Sequence, residues 1–180
     1  NATVNKMLDL SKPYRWLSGY YLVKYLDDRI DHMKGGNTSM NFQMMRYAEV
    51  LLNYAEAINE ASNSAQNRQL AVAQLNAIRA RAGITGTLDA TNFTQEQLRE
   101  RIRKERRVEL CFEEHRFFDI RRWDIAKEVL NTPAVGIAKE GGQYVRIKVE
   151  DRIFNERMNF MPVPLSDVNN CPLIYQNEGY

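Results

Sequence analysis

The chain reads as mainly α, with irregular excursions and minor β, and three observations predict this. Ala48, Leu51, Leu52, Ala55 and Ile58 fall on one helical face, while Glu49, Asn53, Glu56 and Glu60 form a polar stripe opposite. Ala71, Leu75, Ile78 and Ala82 repeat at helical spacing until Gly83, a residue suited to end a helix. The third observation is "FTQEQL" (93–98), which has the chemistry of a helix start. Thr94 caps the free amides, Gln97 completes a capping box, and Phe93 packs on Leu98 as a hydrophobic staple.

Residues 1–43 mix aromatics with turn formers, and "GYYLVKYL" (19–26) reads as a short strand or extended lead-in, with helix as a competitor. The first helix begins near Phe42, and "EASNSAQN" (60–67) breaks it, so 46–83 is a helical hairpin. "ITGTLDATN" (84–92) is a loop. The capped third helix is expected to run to about Glu114, with turn and further helix until "NTP" at 131–133. "QYVRIKVE" (143–150) alternates apolar Val145, Ile147 and Val149 with polar neighbours and reads as a lone strand. The proline-punctuated end, 159–180, reads as an extended strap over a helical body.

Composition excludes several functions. With 180 residues and 44% apolar content, the chain is long enough for one domain with a core. Twenty-five Lys and Arg against 23 Asp and Glu are too balanced to imply nucleic acid as a partner. No apolar run approaches the roughly 18 residues of a membrane span. The opening "NATVNKMLDL" lacks a signal-peptide pattern and an initiating Met, so any targeting segment is expected upstream. Cys111 and Cys171 suit inert, partly buried thiols. With His32 and His115 as the two histidines and no HExxH or CxxC spacing, neither a metal site nor a cofactor is expected. The glycine pairs in "HMKGGN" and "KEGGQ" read as turns.

"RKERRVELCFEEHRFFDIRRWD" (103–124) holds thirteen charged side chains and four large aromatics. Seven basic against six acidic groups do not make a nucleic-acid arm. On a helical wheel Leu98, Ile102 and Phe112 define the buried direction, and Glu105, Glu109 and Arg116 share that stripe. A carboxylate facing a core costs several kcal/mol unless it is paired, so these groups need partners. Arg46, Arg79, Arg81, Arg121 and Arg122 are the candidates, each with a planar fork that suits carboxylates.

The catalytic alternative is that Glu105 and Glu109, one turn apart, form a glycosidase pair. That chemistry needs one carboxyl kept protonated, which a surround of arginines opposes. His115 is read as a surface imidazole at a helix end, and Trp123 as core. The stretch is therefore read as an ion-paired scaffold helix.

The 46–83 hairpin has the size of one tetratricopeptide-like unit, which cannot bury its own face. Either the third helix and the strap complete the body, or more helices lie upstream.

Four blocks carry a resemblance: "RYAEVLLNYAEAINE" (46–60), "LNAIRARAGI" (75–84), the 103–124 stretch and "PVPLSDVNNCPLIYQNEGY" (162–180). In this order they resemble the C-terminal region of the RagB/SusD family of nutrient-binding outer-membrane lipoproteins. "QNEGY" departs from the commoner Q-N-P-G-Y, and Cys111 replaces a usual small residue.

The resemblance implies an α-α superhelix with long loops, of which residues 1–180 are the C-terminal part, the N-terminal half and lipid anchor being absent. It also implies non-enzymatic binding of oligosaccharides, or in some cases peptides, at the outer membrane of Bacteroidetes, on its surface or facing the periplasm. The implied partner is a SusC-like TonB-dependent transporter, and contact with the membrane is only through an upstream lipid anchor. Sugar rings stack on aromatic faces, so Tyr14, Trp16 and Tyr21, in the variable stretch before the first motif, are the candidate ligand-binding residues; packing against the body is the competing role. A helical protein-interaction scaffold is the alternative function, and an enzyme stands third.

Overall fold

The computed structural model describes residues 18–20, 22–27, 29–30 and 40–180. Its contacts form two units: a helical unit, Asp27–Phe117, and a second, here called the C-terminal unit, made of Asn1–Leu26 with Phe118–Tyr180. The fold is mainly α, as the sequence predicts, and no helix among the described residues is long and apolar enough to cross a membrane.

In the helical unit, α1 (Tyr47–Ala61) buries Ala48, Leu52, Ala55 and Asn59, a one-sided stripe that faces α2 (Ala65–Arg81). α2 answers with Ala71, Val72, Leu75 and Ile78. Alanines at this contact let the two backbones approach closely, and leucines fill the space beside them. Ser64 starts α2 by accepting the Asn67 amide at 3.1 Å.

Gly83 ends α2 at φ +73°, with Gly83 N–H bonded to the Ala80 carbonyl and Ile84 N–H to the Arg79 carbonyl, both at 3.0 Å. These two bonds make a Schellman motif, and a side chain at that φ would be strained. The 84–92 loop returns to α2 through Asn76, whose amide donates to the Leu88 carbonyl at 3.0 Å and accepts the Leu88 N–H at 2.8 Å.

The capping box at α3 (Gln95–Glu109) forms as expected: Thr94 Oγ1 accepts from Gln97 N–H at 3.2 Å, and Gln97 Oε1 accepts from Thr94 N–H at 2.9 Å. Phe93 joins the same apolar cluster as Leu98 and Ile102. Asn59 and Gln95 exchange side-chain-to-carbonyl bonds, at 3.1 and 2.6 Å, which fix α3 to the end of α1.

α3 is shorter than expected: it stops at Glu109, not Glu114. Phe112 and Glu114 take left-handed backbone conformations, at φ +61° and +65°. Phe112, placed by the wheel in the buried direction, is consequently 60% exposed, and Leu110 is the residue that joins the core. Cys111, expected to be partly buried, is exposed as well; Cys171 is half-buried.

The boundary between the units falls within α4 (His115–Arg122). In the C-terminal unit, Ile120, Ala126 of α5 (Ala126–Leu130) and Phe154 form a small core. Trp123, expected in the core, is half-buried, with the Arg122 guanidinium 4.8 Å from its ring. The strand at 143–150 is not alone. β1 (Ala134–Glu140) pairs antiparallel with β2 (Gln143–Glu150) across Gly141–Gly142, both at positive φ, as a two-residue hairpin turn demands. No strand forms over the described part of 19–26, and the glycine pair of 35–36 lies outside the described residues.

The C-terminal strap, 159–180, is not extended throughout: a 3-10 turn (Glu156–Asn159) leads into it and α6 (Leu165–Asn170) interrupts it. Proline supports the second: Pro164 caps α6 at a position whose missing N–H costs nothing.

Candidate functional site

Tyr14, Trp16 and Tyr21, the residues singled out for ligand binding, lie outside the described residues, as does His32. The backbone between Trp16 and Tyr21 is described at 18–20. Ser18 accepts the Ile137 N–H of β1 at 2.8 Å. A Cβ on Gly19 would fall 2.1 Å from the Ile137 carbonyl oxygen, and one on Gly136 2.7 Å from the Ser18 carbonyl oxygen. Two glycines therefore permit this close crossing, which holds residues 18–19 against β1. Tyr20, next along, is exposed.

The charged stretch gathers its predicted partners within the helical unit. Arg46 precedes α1 and forks onto Glu113, Nε to Oε2 at 2.7 Å and Nη2 to Oε1 at 2.8 Å. Its remaining reach goes to Glu109, by Nη1 to the carboxylate and by Nη2 to the carbonyl at 2.6 Å. Arg81 donates to the same Glu109 carboxylate at 2.6 Å. Glu105 lies 3.7 Å from Arg79 and accepts from Arg101 at 3.1 Å.

The Glu113 bond, joined by Glu109, raises the Arg46 pKa, so its charge is permanent at any working pH. Arg106 is buried and donates to Asn53 at 2.6 Å, although Asn53 was placed on the polar stripe. His115 is half-buried with Nε2 3.6 Å from Glu49, closer to the body than a surface imidazole.

Arg121 and Arg122, also named as partners, have other contacts: Arg121 donates to the Met158 carbonyl, and Arg122 pairs with Asp119. Sequence reasoning missed Glu113, although it stands four residues after Glu109. The signal was hidden because the helix breaks between them.

Chemically the cluster is a clamp. Each of the three carboxylates faces at least one arginine, so the cluster ties the start of α1 and the end of α2 to α3 and the turn after it. No group of three or more metal-ligating side chains occurs among the described residues.

A second feature lies wholly in the C-terminal unit. Asp124, Lys127, Glu156, Arg157, Asn159, Phe160, Glu178 and Gly179 line a groove of about 720 Å³. The final "QNEGY" builds one wall of it. Gln176 clamps the Val163 backbone with two 2.8 Å bonds, and Asn177 donates to the Met161 carbonyl at 2.6 Å. Tyr180 donates to the Phe160 carbonyl at 3.2 Å, while Arg157 lies 5.0 Å from the Tyr180 ring. Arg157 Nη1 also reaches the Gly179 carbonyl at 2.7 Å. Three separate segments supply the lining, so no local spacing could have shown it.

Comparisons with known proteins agree on one family. The model of the SusD family matches residues 10–180. SusD-like protein P2 of Formosa agariphila is 41% identical over 152 residues, covering 81% of this chain and 27% of that protein. SusD-like protein P25 of the same organism is 28% identical over 171 residues, covering 89% of this chain and 29% of its own length. The crystal structure of a SusD-like protein from Bacteroides fragilis superposes with a TM-score of 0.67 at 38% identity, over 76% of this chain and 25% of that one. The chain thus spans about a quarter of the length of these relatives. With the match running almost end to end, the chain belongs to the SusD family.

Proposed function

We propose that this chain is part of a cell-surface lipoprotein that binds oligosaccharides without cleaving them and delivers them to a SusC-like, TonB-dependent outer-membrane transporter. The observation that carries this reading is the family match over residues 10–180. Residues 1–180 are read as the C-terminal part of a longer SusD-like domain, with the lipid anchor supplied from upstream. Tyr14, Trp16 and Tyr21 remain the candidate stacking faces.

The charge clamp supports a binding role over an enzymatic one. Glu105 and Glu109 are held by Arg79, Arg101, Arg46 and Arg81, so both side chains are engaged in joining the helices. Titration calorimetry with a panel of oligosaccharides and peptides, followed by assay for new reducing ends, tests the reading. Heat with an oligosaccharide and no cleavage is expected. Heat only with peptides assigns the peptide-binding role, silence throughout favours a protein-interaction scaffold, and new reducing ends make the chain an enzyme.

A further inference from the structure

We propose that the groove of the C-terminal unit is a subsite for a neutral oligosaccharide. This rests on the glycan-binding reading and adds to it a place and a charge class. The volume, about 720 Å³, lies within the range of small-ligand sites.

The cations of the groove are already engaged. Lys127 Nζ is 2.6 Å from Glu156, and Arg157 is held by the Gly179 carbonyl and the Tyr180 ring. An acidic sugar would have to displace those contacts and would meet carboxylates while doing so.

Acceptors, by contrast, remain available. Asp124 and Glu178, both on the lining, have no side-chain partner among the described residues. Carboxylates accept hydrogen bonds, and sugar hydroxyls are donors. Glu178 also stands apart within "QNEGY". Gln176, Asn177 and Tyr180 tie their side chains to residues 160–163, and Gly179 makes room for Arg157, but the Glu178 side chain holds nothing in place.

Phe160 completes the set. Its side chain is 67% exposed at the groove, while its backbone is fixed by a bond from its N–H to the Arg157 carbonyl and by the Tyr180 hydroxyl on its own carbonyl, both at 3.2 Å. A rigid aromatic face beside free acceptors suits the C–H face and hydroxyl rim of a sugar ring.

Calorimetry on the 180-residue chain, with neutral hexasaccharides (malto-, cello-, laminari- and xylo-) and acidic ones (oligogalacturonate, oligoalginate), tests this. A neutral ligand should bind, and Phe160→Ala and Glu178→Gln should each weaken it by roughly tenfold, with Phe160→Tyr restoring affinity. Both side chains are exposed, and unchanged melting of the variants checks that they fold. If neutral ligand binds and both variants match the parent, the groove is not the site, though the glycan reading stands. Binding of acidic ligands alone overturns the charge class. No binding of any glycan by this chain removes the groove as a site.

Discussion

Arg46 does with one guanidinium what a lysine could not, since it spans a carboxylate fork, a second carboxylate and a carbonyl at once. Its partners Glu109 and Glu113 retain 11% and 4% side-chain exposure, so breaking the set leaves charge buried without its counter-ion. Glu109→Ala should therefore lower unfolding free energy by about 3 kcal/mol, read from urea midpoints, while ligand affinity of the folded fraction stays unchanged. Intact stability with lost activity would instead give Glu109 a chemical role. The carboxylates on the core-facing stripe were legible in the sequence, and so were Arg46, Arg79 and Arg81 as partners. The role of Glu113 was not, because it depends on where α3 ends; Arg101, one turn before Glu105 on the same helix, was open to local reasoning and was missed.

At the scale of elements, the same device appears three times among the described residues. Asn76 clamps Leu88, Asn131 clamps Phe154, and Gln176 clamps Val163, each amide giving one bond to a backbone carbonyl and taking one from the same residue's N–H. A side-chain amide thereby replaces a neighbouring strand, and irregular backbone keeps its hydrogen bonds without joining a sheet. Gln176→Ala leaves the half-buried Val163 with two unmet backbone groups, at a cost of about 2 kcal/mol. Hydrogen exchange should show the Val163 amide losing protection, with α1–α3 unaffected; unchanged protection there would mean that the clamp carries no weight.

Local chemistry was enough to place the hairpin and the capping box, since caps and stripes act within one or two turns. It was not enough for β1. "AVGIAKE" contains a glycine and little alternation, and that glycine is required by Ser18, far away in sequence. Pro162 and Pro164 suggested an extended strap, yet a proline before the first turn is compatible with α6.

For the whole molecule, the direction of the titration shifts sets the pH range of stability. The Arg99 bond lowers the Glu60 pKa below its ordinary 4.5, and the Lys127 bond does the same for Glu156. Carboxyls lowered in the fold stabilise it above 4.5 and lose that contribution as pH falls through their folded values. Lys127, raised above its ordinary 10.5 by Glu156, stabilises below 10.5 and loses that contribution only as pH rises through its folded value. Melting temperature should accordingly be level through neutrality and fall below about pH 4.5, and Glu60→Gln should flatten part of the acid limb. An acid limb identical to the parent's would remove Glu60–Arg99 from the account.

The mainly α class, the three-helix order, the caps and the family were determined by sequence alone, since each rests on residue spacing or on contacts within a few positions. Tertiary structure decided where α3 breaks, which arginine meets which carboxylate, and that Asp124, Asn159, Phe160 and Glu178 share one groove. Those arrangements depend on segments tens of residues apart meeting in space, and no local spacing encodes such meetings.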